Sequence, residues 1–141
     1  MFILDTNAVS ELRKAQFGKA DPRFVQWADS ASPSDFFISA ISVMELEVGT
    51  LQMEKRDIVQ GAALRHWLET QVLPSFGGRI LPVDMDVARR CAHLHVPDRQ
   101  NERDALIAAT ALVHGMTVVT RNVADFAPTG VSLVNPWDIA Q

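Results

Sequence analysis

The chain has 141 residues, 48% of them apolar and 21% charged. That is enough for one domain, expected to span residues 1–141, with a real core, and it excludes a disordered, collagenous or low-complexity chain. Thirteen Lys+Arg against 17 Asp+Glu leave a formal charge of −4, which excludes a whole-protein basic footprint for nucleic acid. Any polyanion must be held by a local patch or through metal ions. The single cysteine, Cys91, excludes an internal disulfide and a cysteine-built zinc site. A reducing compartment suits it. The N-terminus has no basic leader, and no apolar run approaches the ~18 residues of a membrane span, so a cytoplasmic location away from membranes is expected.

Phe2-Ile3-Leu4 predicts a short buried strand, ended by Asp5-Thr6-Asn7 and followed by a helix over Ala8 to Lys14. Pro22 suits the first turn of a second helix, Arg23 to Ser30. Phe36-Phe37-Ile38-Ser39 predicts the second strand. Ser42-Val43-Met44-Glu45 reads as a capping box opening a helix to about Lys55, weakened inside by Gly49. A further helix runs from Ile58 to Leu73 and is expected to stop at Pro74. Ile80-Leu81-Pro82-Val83 predicts a third strand at an edge or end, and Asp84 caps a helix to about Leu94. An apolar helix spans Glu102 to His114, with Gly115 as its stop. Thr117 to Thr120 is the clearest β-branched run, a turn holds Asn122 and Asp125, and Val131 to Val134 closes the chain as a strand. Strands alternating with helices, each strand a continuous apolar run, predict an α/β fold with a mainly parallel sheet covered on both faces.

Ligands of such sheets bind beyond the carboxyl ends of the strands, and acids collect there. Asp5 follows the first strand, Glu45 the second, and Asn122 and Asp125 the fourth, while Asp104 opens the helix before the fourth. Each acid also has a plain structural role available. Asp5 can cap a helix, Glu45 can close its capping box, Asp104 sits near the third helical position, and Asp125 fits an Asn-x-x-Asp turn. Capping does not require acids at several strand ends to face one crevice. If they meet, their mutual repulsion raises some of the pKa values unless a divalent cation neutralises them. Oxygen-only donors point to Mg²⁺ or Mn²⁺ rather than zinc. Such an ion serves phosphodiester hydrolysis, and it lets an acidic protein hold a polyanion.

The motifs carry a resemblance. Met1-Phe2-Ile3-Leu4-Asp5-Thr6-Asn7 resembles the opening of PIN-domain proteins. Ile41 to Gly49, Arg103 to Ala111 and Val119 to Phe126 resemble their second, third and fourth motifs, in order and across nearly the whole chain. Arg79 to Asp84 and Asn135-Pro136-Trp137 are similar to the VapC toxins, in their FitB-like branch. The resemblance implies a three-layer α/β/α sandwich. It also implies a Mg²⁺-dependent ribonuclease, with Mn²⁺ as a substitute, acting as the toxin of a type II toxin–antitoxin pair. The expected partners are RNA, a cognate antitoxin of VapB or FitA type, and a second copy of the chain in a homodimer. Asp5, Glu45 and Asp104 carry over as the metal-binding acids, with Asn122 or Asp125 completing the catalytic set. Many relatives have an acid where this chain has Asn122, so the amide removes one negative charge. Thr6 is expected either to hydrogen-bond the phosphate or a metal-bound water or to serve as a helix-start residue. Arg13, Lys14, Arg103 and Arg121 are the candidate phosphate contacts, each with a plain alternative as a solvated surface charge.

Other readings of acids at a sheet edge fit less well. A receiver domain needs a lysine late in the chain, and the lysines are Lys14, Lys19 and Lys55. The haloacid dehalogenase pattern needs a second Asp where Asn7 stands. A nuclease-inactive binding module that keeps the fold and its antitoxin or RNA surface is the alternative that Asn122 supports. His93 and His95, two apart on a helix, face differently and do not suit zinc. The three tryptophans read as packing residues.

Overall fold

The structure is a computed structural model and describes residues 1–139. Five strands, β1 (Phe2–Leu4), β2 (Phe36–Ser39), β3 (Ile80–Leu81), β4 (Thr117–Val119) and β5 (Leu133–Val134), form a sheet of order β3-β2-β1-β4-β5. Every pairing is parallel. Side chains alternate across it as the pleat demands. Leu4, Ile38 and Val119 face a core built with Ala8, Val9, Phe24, Trp67 and Leu68. Ile3 and Val118 face the opposite core, built with Ile107, Ala108, Ala111 and Phe126. Helices therefore cover both faces, as an α/β/α sandwich requires.

The helices are α1 (Thr6–Gln16), α2 (Pro22–Asp29), α3 (Ala40–Arg56), α4 (Ile58–Trp67), α5 (Leu73–Ser75), α6 (Met85–Leu94), α7 (Glu102–His114) and α8 (Val123–Phe126). In α7, Ala105, Ala108, Ala109 and Ala111 are fully buried. Ala108 and Ala111 pack toward the sheet strands, and Ala105 and Ala109 pack against Val87 and Cys91 of α6. Its Gly115 adopts φ 66°, the left-handed stop that glycine accepts without Cβ strain. The chain lays β1, β2 and β3 outward in one direction, then returns to place β4 on the other side of β1. That reversal opens a crevice at the carboxyl ends of β1 and β4.

Several elements differ from the sequence reading, each for a local reason. The first helix begins at Thr6, because Asp5 itself is the cap. The third begins at Ala40, capped by Ser39, whose hydroxyl accepts the Ile41 N–H at 3.0 Å. Ser42 and Glu45 therefore lie inside the helix and form no capping box. Pro74 does not end the fourth helical stretch. A π turn over Leu68–Val72 absorbs the missing N–H and the ring, and helix resumes to Ser75. The third and last strands keep only two residues each. The turn holding Asn122 and Asp125 becomes a short helix. Aromatic packing takes up Trp27, whose ring meets Phe2 edge-on at 5.2 Å, and Trp137, 4.8 Å from Phe24.

Candidate functional site

Asp5 leaves β1 in extended conformation with its side chain turned back over the crevice. Its Oδ1 accepts the Thr6 N–H at 2.8 Å, and its Oδ2 accepts Asn7 Nδ2 at 2.9 Å and Thr120 Oγ1 at 2.8 Å. Its own N–H donates to the Val119 carbonyl at 2.9 Å, tying β1 to β4 at the same point. The residue is 5% exposed. Burial pushes its carboxyl above the usual range, against the hydrogen bonds that lower it, and the charge of Glu45 adds to the rise.

Glu45 reaches the crevice from the second turn of α3. Its Oε1 accepts the Thr6 hydroxyl at 2.8 Å, and Ser42 Oγ lies 3.1 Å from that hydroxyl. Its Oε2 is 3.7 Å from Arg103 Nη1. Asp104 arrives from the first turn of α7, whose cap Asn101 accepts the Asp104 N–H at 3.1 Å. The Asp104 carboxyl is pushed up to about 6, first by burial, then by the charges of Asp5, Asp125 and Glu45. Among the described residues nothing donates a hydrogen bond to it. Three distant stretches of chain thus deliver acids to one electrostatic neighbourhood.

Asn122 is exposed, its amide N–H donating to Thr120 Oγ1 at 2.9 Å. Asp125 is exposed on α8, its N–H donating to the Asn122 carbonyl at 3.1 Å, and it reaches Asp104 through its charge. Of the basic candidates, Arg103 pairs with Glu45. Arg121 stands on the loop after β4, its guanidinium 4.6 Å from the Trp137 ring centroid. Arg13 and Lys14 are not drawn in. They lie toward the far end of α1, where Arg13 stacks over Phe17 and Trp67 at 5.6 and 5.8 Å and Lys14 meets Glu11 at 3.5 Å.

Sequence reasoning misses three polar residues that hold the acids: Asn7, Ser42 and Thr120. Thr120 is fully buried, donates to Asp5 and accepts from Asn122. Asn7 Oδ1 also accepts the Arg121 N–H at 3.3 Å, so one amide side chain bridges α1 and the loop after β4. The available signal was position: Asn7 is two residues past Asp5, and Thr120 is the polar end of the β4 run.

The donor set suits a hard divalent cation. It consists of oxygens, its Asp5 and Asp104 carboxyls are raised in pKa by burial first and by mutual charge second, and it includes a carboxylate with no hydrogen-bond donor. Among the described residues, no three acidic, histidine or cysteine side chains yet stand close enough for one ion to bind them all. Among the described residues, no helix is long and apolar enough to cross a membrane.

A parallel sheet of this order with acids gathered at the reversal defines a class. The chain belongs to the PIN-domain family, whose model matches residues 2–128. Within that family it is 37% identical over 148 residues to the VapC ribonuclease Y4jK of Sinorhizobium fredii, covering 99% of this chain and 100% of the relative. It is also 37% identical to the toxin FitB of Neisseria gonorrhoeae, covering 97% of this chain and 99% of that protein. The solved structure of FitAcB from Neisseria gonorrhoeae superposes with a TM-score of 0.88 at 35% identity, over 99% of this chain and all of that one. A FitAB complex bound to a DNA fragment gives 0.87 at 35% identity, over all of this chain and 99% of that one.

Proposed function

We propose that this protein is a divalent-metal-dependent endoribonuclease and the toxin half of a VapBC-like toxin–antitoxin pair. The observation that carries the reading is the approach of Asp5, Glu45 and Asp104 to one crevice from three separate segments: Thr6 gives its N–H to Asp5 and its hydroxyl to Glu45, while burial and then the charges of Asp5, Asp125 and Glu45 push the Asp104 carboxyl up to about 6. Relatives named as a VapC ribonuclease and a FitB toxin support the same activity. Asp5, Glu45 and Asp104 would hold Mg²⁺, or Mn²⁺ in its place. Bound there, the ion supplies Lewis-acid polarisation of a phosphate oxygen and activation of water. Thr6 keeps Glu45 aimed into the crevice, and Thr120 and Asn7 fix the Asp5 carboxylate. Asn122 and Asp125 orient water at the open side. Arg103 and Arg121 offer cationic contacts to the RNA backbone beside the acids, whereas Arg13 is set for a role away from them.

Neighbouring structures include a toxin–antitoxin complex from Klebsiella pneumoniae at 27% identity and FitAB at 35%, which supports a cognate antitoxin of VapB or FitA type as partner. Phe17, Leu51, Ile58 and Val59 are 63%, 51%, 83% and 78% exposed around the ends of α1, α3 and α4. They provide apolar surface for an antitoxin and for a homodimer. A second reading, a nuclease-inactive binding module, draws on Asn122, whose neutral side chain brings no charge to the site.

The test is cleavage of total cellular RNA by antitoxin-free protein with Mg²⁺ or with EDTA, beside Asp104→Asn. That variant removes a charge without removing a side-chain hydrogen bond. Cleavage that needs Mg²⁺ and vanishes in the folded variant is expected. A well-folded, Mg²⁺-supplied protein that leaves every RNA pool intact would favour the binding module.

A further inference from the structure

Arg121 directly follows Thr120, the residue that holds Asp5, yet its side chain pairs with none of the acids. The backbone at this point is fixed twice: the Arg121 N–H donates to Asn7 Oδ1 at 3.3 Å, and the Asn122 N–H donates to Thr120 Oγ1 at 2.9 Å. These are the residues that also fix Asp5. An arginine whose backbone is tied to such a cluster can seek a carboxylate, as Arg103 does with Glu45. Arg121 forms no ion pair and no side-chain hydrogen bond among the described residues. Its Cζ lies 4.6 Å from the ring centroid of Trp137 instead. Trp137 is itself immobilised. It is 5% exposed, packs on Phe24 at 4.8 Å, and donates its backbone N–H to Asn135 Oδ1 at 3.0 Å. An indole face attracts a guanidinium through its quadrupole and consumes none of its N–H donors. Arg121 is exposed, so those donors remain available from solvent.

We propose that Trp137 is a positioning residue: by stacking on Arg121 it keeps that guanidinium off the acids and presents its N–H edge to a phosphate of single-stranded RNA next to the one being cut. The acids stay free for a cation, and the fork beside them stays unneutralised for bidentate phosphate contact. RNA as the polyanion rests on the ribonuclease reading, whereas the stack does not.

The test measures binding of a fluorescein-labelled mixed-sequence RNA of about 12 nucleotides by anisotropy. It is done in EDTA on an Asp104→Asn background, so that nothing is cut. Cleavage of the same RNA with Mg²⁺ is followed in parallel without that background substitution. Trp137→Leu keeps an apolar side chain but loses the aromatic face. It is expected to raise Kd about tenfold and to reduce the slope of log Kd against log salt by about 0.7, one single-strand phosphate contact. Arg121→Ala is expected to match it, the double variant to be no worse than either, and Trp137→Phe to stay within about threefold of the parent. Equal losses for Leu and Phe at 137, or losses that add to that of Arg121→Ala, would overturn the proposal. Arg121→Ala changes an exposed side chain and folds whatever Trp137→Leu does, so a parent-like Kd for it overturns the proposal alone. Failure of the parent to bind RNA overturns it too. Binding that depends on both residues without any cleavage leaves the proposal standing and removes the ribonuclease reading instead.

Discussion

At the scale of single residues, the acids work against the fold that gathers them. Asp104 and Asp5 have folded pKa values above their unfolded ones, so the native state binds protons more tightly than the unfolded chain. Their protonated forms favour folding at low pH, and that contribution is lost as pH rises, for Asp104 between 3.8 and about 6. Asp104→Asn is therefore expected to stabilise the metal-free protein at about pH 7.5 by about 1–2 kcal/mol, solvent screening of a partly exposed group included. Below about pH 4 the gain should disappear, because both forms are then neutral. Urea unfolding at the two pH values checks this, and a parent-like midpoint for the variant at neutral pH would contradict it. Thr120 acts oppositely. Thr120→Val removes the donor to Asp5 and strands the Asn122 N–H, with an expected loss of about 1–3 kcal/mol. Thr120→Ser, which keeps the hydroxyl, should recover most of that in the same titration. That the three acids gather at one edge of the sheet is legible in the sequence, because distant carboxylates at strand ends have few other reasons to coincide. The holders Asn7 and Thr120 are not, since a polar residue beside an acid is common and only the fold aims it. Arg13 is misleading for a related reason: helical spacing gives its place on α1 but not the rotamer that turns it onto Phe17 and Trp67.

At the scale of elements, α3, the helix that carries Glu45, is clamped against α4. Arg65 on α4 meets Glu47 at 2.6 Å and Glu54 at 3.0 Å on α3, and Glu69 at 3.7 Å. The helices touch closely at Gly61, where an added Cβ would stand 2.5 Å from Glu54 Cα. Backbone cannot yield there as a side chain can. Gly61→Ala is expected to cost about 2–3 kcal/mol by forcing the helices apart. Gly49 lies in the interior of α3, and an added Cβ there meets nothing within 4 Å. Gly49→Ala should stabilise by about 0.5–1 kcal/mol through the unfolded chain. Thermal melts of the pair should move in opposite directions, and a shared direction would refute this account of the hairpin. Strand and helix identities are legible from apolar periodicity, and α6 and α7 from their caps. Helix starts are less so. Ser42 reads as the cap in the sequence, and the exit geometry of β2 gives that place to Ser39 instead. Pro74 reads as a stop because proline ends most helices, and the π turn that accommodates it leaves no mark in the sequence.

At the scale of the whole molecule, a net charge of −4 and a crevice of acids make cation binding and polyanion binding one problem. Mg²⁺ is expected to raise the melting temperature of the parent at about pH 7.5 and to do so less for Asp104→Asn, because a ligand stabilises only the state that holds it. EDTA should abolish cleavage while leaving the circular dichroism spectrum unchanged. An unfolded spectrum in EDTA would mean that the ion builds the fold rather than completing the site. The order of the sheet has a consequence in time as well as in space. β1 is the central strand, yet one of its partners, β4, begins at Thr117. A ribosome making this chain releases Asp5 early, but the groove beside it stays open until the residues around Thr120 have emerged and docked. A growing chain of this design carries its acids apart through most of its synthesis, and the crevice that gathers them is whole only when translation is nearly done.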